Sequence, residues 1–235
     1  MQYNQLTIED VIAKDYRKAI VFLKHDLNFC LLKNSKINDL PSQKHQKVIK
    51  ALEKVDLDYN LLESKCANWK TEEIIDHVIF NHHKYVRDIM TQLPLLFELD
   101  CGCKSNSNCS SVLDKINTHF QLISENLIKH LEEEENHIFP YINLLEHCKS
   151  SIVKPKKIGD NTIIDPFNLK ESEHDIVDQL IDKIKLLLDN NALIKKSCIK
   201  FNVCALLLEE FDENFQSHIY LENNILFSRA KKLEG

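Results

Sequence analysis

Residues 130–140 read HLEEEENHIFP, and residues 218–228 repeat the pattern as HIYLENNILFS. Aligned without a gap, each copy places a glutamate four residues after a histidine. These are His130 and Glu134 in the first copy, and His218 and Glu222 in the second. Apolar residues precede each histidine at helical spacing, so each His–Glu pair ends an apolar stripe on one face of a helix. Burying both groups is costly unless something binds them, and a transition metal would do so.

The composition favours a nearly all-helical protein. The 235 residues include only three glycines and five prolines, while Leu, Ile, Lys and Glu are abundant. A net charge of −6 without a dense Lys/Arg face argues against nucleic acid as a partner. Because we find neither an apolar run of membrane-spanning length nor a signal peptide, we expect a cytoplasmic protein that does not bind membranes. Its eight cysteines are then expected to be reduced thiols.

Two domains are expected, one over residues 1–60 and one over residues 61–235. In the first, Thr7 is expected to cap a helix that runs to about Lys24, and a second helix is expected to open at Ser42. In the second domain, long helices are expected at about 71–99, 111–147, 167–188 and 196–232, the first capped by Thr71. Prolines within the first two, Pro94 and Pro140, are expected to kink or break them.

The second pair of long helices repeats the first pair. One histidine on the first helix, either His82 or His83, precedes His130, and His174 on the third helix precedes His218. A lone histidine followed by His-x3-Glu, twice over, indicates an internally duplicated αα-hairpin. Four antiparallel helices with ligands facing inward can hold two metals. The sequence therefore predicts an all-α four-helix bundle around a metal centre.

Four histidines and two glutamates suffice for two metals if both carboxylates bridge the pair. Each metal would have two imidazoles, two carboxylate oxygens and a shared oxo or hydroxo group, with a position open to an external ligand. This donor set favours redox-active iron over closed tetrahedral zinc. The spacing differs from the Glu-x-x-His of ferritin-like sites. His137 lies one turn beyond Glu134, but the second copy has Ile225 there, so we expect His137 at the surface or outside the ligand set.

Four motifs carry a resemblance to a known family: EIIDH at 73–77 followed by His83, HLEEE at 130–134 with IFP at 138–140, ESEHD at 171–175, and HIYLENNILFSRA at 218–230. Together they resemble the repair-of-iron-centres proteins, hemerythrin-like (HHE) di-iron proteins of the bacterial stress response. Matched residue by residue, the resemblance selects His83 over His82 and implies two iron ions, bridged by both glutamates. The implied ligands are His83, His130, Glu134, His174, His218 and Glu222, with no catalytic residue beyond them.

The leading unit resembles the small ScdA-type domain of that family, through DYRKA at 15–19 and DLNFC at 26–30. The family has two adjacent cysteines there, whereas Cys30 is followed by leucine. We therefore expect docking or homodimer contacts from this unit instead of thiol chemistry. Three cysteines between the first two long helices, Cys101, Cys103 and Cys109, are expected to be incidental thiols. A soft metal or a thiol partner is the alternative.

The resemblance also implies a function. It predicts a non-haem di-iron protein that restores iron–sulfur clusters damaged by nitric oxide or peroxide, with iron–sulfur proteins as clients. Two routes would share one site: donation of iron to an apo-cluster, or reduction of nitric oxide at the open iron position. The alternative is a hemerythrin-like sensor or carrier that binds O2 or nitric oxide without turnover. A third hypothesis, a structural bundle without metal, fits the duplicated ligands poorly.

Overall fold

The computed structural model describes residues 3–14, 18–58, 69–100, 107–148 and 166–234. Within these ranges every secondary-structure element longer than a single residue pair is a helix. The one β-type contact there is an isolated bridge between Thr7 and Lys36. The all-α prediction is therefore confirmed. The described helices include none that is long and apolar enough to span a membrane.

Eleven α-helices follow one another along the described chain. They are α1 (Ile8–Lys14), α2 (Lys18–Lys24), α3 (Ser42–Asp58), α4 (Thr71–His77), α5 (Lys84–Glu98), α6 (Ser107–Glu133), α7 (Phe139–His147), α8 (Pro166–Asp189), α9 (Ala192–Ser197), α10 (Ile199–Ile219) and α11 (Ser228–Glu234). Three π-helical segments join pairs of them directly. Val78–His83 joins α4 to α5, Glu134–Ile138 joins α6 to α7, and Tyr220–Phe227 joins α10 to α11.

The chain divides into two compact units. The first contains Met1–Ser64, Thr91–Asn117 and Leu187–Glu210, and the second contains Lys65–Met90, Thr118–Leu186 and Phe211–Gly235. The first unit thus includes later segments as well as the leading one, and the domain boundary near residue 60 stays a prediction.

In the first unit the predicted cap of α1 is confirmed. The Thr7 hydroxyl accepts the N–H of Asp10 and the Asp10 carboxylate accepts the N–H of Thr7, both at 3.0 Å. This reciprocal pair satisfies two N–H groups at the helix start. The structure has two helices, α1 and α2, where one was predicted, and residues 15–17 between them lie outside the described ranges. The second predicted helix begins at Ser42 as expected.

The second unit contains four helical arms. Arm 1 is α4 with its π segment and the start of α5, arm 2 is the later part of α6 with its π segment and α7, arm 3 is α8, and arm 4 is the end of α10 with its π segment and α11. Phe139 and Phe227, the matched phenylalanines of the duplicated stretch, lie in one buried apolar cluster. Burying each contributes roughly 1.5–3 kcal/mol. The arms form the predicted bundle.

Thr71 was wrongly expected to cap the first long helix. The backbone N–H of Lys70 is instead held by the Glu73 carboxylate at 2.7 Å, which caps the helix one residue earlier and leaves the Thr71 hydroxyl to donate to Glu146 at 2.8 Å. Near Pro140, α6 gives way to a π segment just before the proline, which has no N–H to continue the regular pattern. Helix α5, by contrast, continues through its proline to Glu98.

Candidate metal centre

The three π segments place predicted ligands. His83 ends the first segment, Glu134 begins the second, and Glu222 lies in the third. A π turn holds an extra residue, so it rotates the side chains that follow relative to a regular helix, and such turns are frequent at functional sites. A sequence search at the 3.6-residue period could not detect these segments. His174 is presented by a regular helix, α8.

All six predicted ligands lie in the second unit and come together in its interior. Their exposed fractions are 3% or less. Their donor atoms form two sets, each spanning no more than 4.8 Å. We call the set with His83 and His218 half A, and the set with His130 and His174 half B. Both glutamates, Glu134 and Glu222, belong to both halves.

The distances show how the glutamates are shared. In half A, Glu222 Oε1 lies 2.8 Å from His218 Nε2 and 3.5 Å from His83 Nε2, and Glu134 Oε2 lies 3.5 Å from His83 Nε2. In half B, Glu134 Oε1 lies 3.1 Å from His130 Nε2, and Glu222 Oε2 lies 3.2 Å from His174 Nε2. Each carboxylate therefore directs one oxygen into each half, which is the arrangement of a bridging ligand.

The donor atoms fit cations. The four oxygens of Glu134 and Glu222 are buried at hydrogen-bond distance from imidazole nitrogens, yet within the described structure none accepts a hydrogen bond of ordinary angle. The inward nitrogens also face each other in pairs, at 3.2 Å between His83 and His218 and 2.9 Å between His130 and His174. Two imidazole nitrogens and two carboxylate oxygens that converge in a buried space are costly unless a metal ion or protons lie between them. Two metal ions, each taking two imidazoles and two carboxylate oxygens, would satisfy them all.

Outer hydrogen bonds orient the imidazoles of half A and half B. The Nδ1 atom of His83 lies 2.7 Å from the Glu135 carboxylate, to which Arg87 also donates at 2.9 Å. The Nδ1 atom of His130 lies 2.8 Å from Glu173. Such bonds fix the ring orientation and the tautomer, so that Nε2 points into the donor set that would hold the metal.

Two further groups complete this outer layer. The buried amine of Lys170 donates to Glu173 at 2.7 Å and to Glu133 at 2.6 Å. The Nδ1 atom of His174 lies 3.2 Å from the amide oxygen of Asn223. Read alone, the glutamate run at 132–135 indicated a solvated charge cluster, and the roles of Glu133 and Glu135 were missed. The available signal was position, because Glu135 and Asn223 each directly follow a predicted bridging glutamate.

The remaining candidate residues lie outside the two donor sets. His82 is also buried, but its Nδ1 faces the Asn214 oxygen at 3.2 Å and its ring stacks on His218 at 5.9 Å between centroids. The structure thus places the imidazole of His83, and not that of His82, in a donor set. His137 is exposed, in agreement with a surface position.

The structure describes five cysteines, and none of these five forms a disulfide bond. Cys30 and Cys109 are buried, whereas Cys101 and Cys103 lie outside the described ranges, so their predicted cluster cannot be placed. Burial also raises the pKa of the Cys204 thiol, which keeps it protonated. The expectation that the cysteines are reduced thiols stays a prediction.

The charges of the histidines differ. Burial lowers the pKa of His83 and of His130, but hydrogen bonds and nearby carboxylates, Glu135 for the first and Glu134 for the second, outweigh burial. The pKa values rise to about 9 for His83 and about 10 for His130. Burial lowers the pKa of His218. Without metal at neutral pH, His83 and His130 are therefore in the positively charged imidazolium form, with a proton on both ring nitrogens.

We expect metal loading to release about two protons per chain at pH 7. An imidazole binds a metal only through a deprotonated nitrogen, so His83 and His130 must each lose one proton. Binding should accordingly tighten as the pH rises toward 9–10 and weaken on acidification. Anaerobic titration of ferrous iron into weakly buffered protein, with a pH indicator, measures the release. Release near zero would mean that these imidazoles do not bind the metal. His137→Ala, at an exposed histidine, should behave like the parent.

Comparison with known proteins agrees with this centre. The family described as Hemerythrin HHE cation binding domain matches residues 74–230. The chain is also similar to the iron-sulfur cluster repair protein YtfE of Enterobacter sp. (strain 638) and of Escherichia coli O81 (strain ED1a). Each is 25% identical over 243 residues, covering 98% of this chain and 98% of the relative. The protein of the same name from Escherichia coli O1:K1 / APEC is 24% identical with the same coverage.

Proposed function

The chain belongs to the hemerythrin HHE cation-binding family and, within it, to the repair-of-iron-centres proteins, and on this premise we propose that it repairs damaged iron–sulfur clusters with a di-iron centre. The centre is held by His83, His130, Glu134, His174, His218 and Glu222, with both glutamates bridging. Iron–sulfur proteins are the clients.

One observation supports this proposal above the others. Each half offers two imidazole nitrogens and two carboxylate oxygens, one from each glutamate, and these donors are buried. Four donors per metal fall short of the six that iron commonly takes, so each position can accept a further ligand. Mixed nitrogen and oxygen donors without thiolate fit iron better than structural zinc.

Iron bound here would supply a redox-active, Lewis-acidic pair of ions with positions open to nitric oxide or O2. The chain's own residues hold and shield it. The ring of Phe139 stacks on His83 at 5.5 Å, and that of Phe215 meets His174 edge-on at 6.0 Å. These fully buried rings exclude bulk water from the imidazoles that would hold the iron.

Iron donation is the route we favour. The inward nitrogens of His83 and His130 take up protons readily, because their pKa values in the metal-free chain lie at about 9 and 10. Protons can therefore take the place of the iron on these two imidazoles. The resulting imidazolium ions would then pair with the buried carboxylates and compensate their charge. Reduction of nitric oxide at the open position is the second route.

The test is transfer of iron to a damaged cluster. Iron-loaded protein is incubated anaerobically with a [4Fe–4S] dehydratase inactivated by nitric oxide, and recovery is followed by cluster absorption and by activity. We expect recovery well above that given by the same amount of free ferrous iron. Cys30→Ser should match the parent, since this thiol has no adjacent cysteine for a local disulfide.

Two outcomes would contradict the proposal or redirect it. Recovery no better than with free iron would exclude donation. Formation of nitrous oxide by the reduced, loaded protein, without cluster recovery, would favour nitric oxide reduction. A large loss in Cys30→Ser with intact iron content would place the thiol in the mechanism.

A further inference from the structure

The outer hydrogen bonds of the four histidines are unequal in the two halves. In half B both imidazoles have an Nδ1 partner, Glu173 for His130 at 2.8 Å and Asn223 for His174 at 3.2 Å. In half A, His83 has Glu135, but Nδ1 of the fully buried His218 finds no hydrogen-bond partner among the described residues. One imidazole of half A is thus unsupported.

The duplication identifies the residue that stands in place of the missing partner. In half B, Glu173 directly precedes the ligand His174 on arm 3 and reaches the ligand of arm 2. The matching residue on arm 1 is His82, which directly precedes His83 and packs against His218 of arm 4 with nearly parallel rings, 13° apart. A histidine that faces Asn214 therefore occupies the position where half B has a carboxylate.

The surroundings of the two halves differ in the same sense. The carboxylate behind His130 is held by Lys170, whose side chain is 3% exposed. The carboxylate behind His83 is held by Arg87, whose side chain is 38% exposed. Beyond His82 a further imidazole, that of the half-buried His77, lies 5.4 Å away between centroids. Half A is therefore bordered by the imidazoles of His82 and then His77, the second of which is only half-buried. Half B is bordered by the buried amine of Lys170.

We propose that the two metal positions are inequivalent and that the position of His83 and His218 is the exchangeable one, which gives up its iron while that of His130 and His174 keeps its own. Its role as the donor position rests on the proposed function. A partner on the outer nitrogen of a ligating imidazole fixes its orientation and raises its basicity, and loss of such a partner costs about 10–100-fold in metal affinity. Half A lacks one of its two partners, so it releases iron first.

The experiment is anaerobic removal of iron from the fully loaded protein by an excess of a ferrous chelator, followed by absorbance. We expect two phases of about one iron each, with rates that differ by about tenfold or more.

Glu173→Gln removes the charged hydrogen-bond partner of His130 in half B and should accelerate the slow phase, with little effect on the fast one. His82→Glu places a carboxylate beside His218 and should slow the fast phase. Asp175→Asn, an exposed carboxylate next to His174, is the control and should change neither.

Release of both irons in one phase by the parent would overturn the inference, as would a Glu173→Gln variant in which only the fast phase accelerates. If His82→Glu does not fold, the Glu173→Gln result decides. The chelator reads metal exchange alone, whereas the cluster assay reads function. Two phases of iron release without cluster recovery would support inequivalent metal positions and contradict the proposed function. One phase of release with full cluster recovery would contradict inequivalent positions and support the proposed function.

Discussion

Glu134→Gln and Glu222→Gln are each expected to leave less than about a tenth of the iron on the chain, whereas His83→Ala is expected to keep about half. Each glutamate directs one oxygen into each half, so neutralising it weakens both metal positions and removes the charge that balances both cations. His83 contributes one nitrogen to half A only. Outer changes cost about 10–100-fold in affinity, so losing a charged bridge should cost more.

Iron per chain is measured by elemental analysis after anaerobic loading and desalting. Glu132→Gln, at an exposed glutamate of the same run, is the matched control for the carboxylates and should keep both irons. His82→Ala should also keep both, because its ring lies outside the two donor sets. Equal loss in the glutamate and His83 variants, or greater loss in His83→Ala, would contradict bridging by the glutamates. One tightly held zinc and no iron in the parent would contradict the di-iron centre itself.

The six candidate ligands could be selected from the sequence because the chain contains the same His–Glu hairpin twice. One His-x3-Glu on an apolar stripe is weak, but the same pattern at His130 and His218, with a lone histidine ahead of each, is hard to obtain by chance. Helical periodicity alone could not separate His82 from His83. The structure does so through the π segment that ends at His83, since a local change in helical winding is invisible to a fixed period.

The hydrogen-bond partners in the outer layer could not be predicted from sequence position alone, because they depend on contacts between helices. Glu135 follows Glu134 in a run of four glutamates, and a charge run ordinarily faces water. Only the packing of arm 1 against arm 2 shows that Glu135 meets His83 and Arg87. The link from Lys170 on arm 3 to Glu133 on arm 2 is likewise a tertiary contact without a local signal. The duplication identifies matched positions, such as Glu135 and Asn223 after the two glutamates, but it does not show which imidazole each of them meets.

Removing the iron from the loaded protein is expected to lower its melting temperature by about 8–16 °C, because a ligand at 1,000 times its Kd adds about 4 kcal/mol and each kcal/mol is worth about 2–4 °C at this chain length. The iron binds donors that converge only in the folded chain, so binding stabilises the folded state alone. Differential scanning calorimetry before and after chelation gives the shift. In Glu222→Gln chelation should have little effect, whereas Glu132→Gln should show the full shift.

The pH dependence of that shift tests its cause. In the iron-free chain, protonated His83 and His130 pair with the buried carboxylates, and their pKa values are raised to about 9 and 10. Raised values in the folded state mean that these pairs stabilise fully below the unfolded pKa of about 6.5, and that this stabilisation is lost as the pH rises through 9–10. Iron competes with the same protons, so the stabilisation by iron should be larger at pH 9 than at pH 6. A shift that is equal at both values would show that the imidazole nitrogens are not where the metal binds.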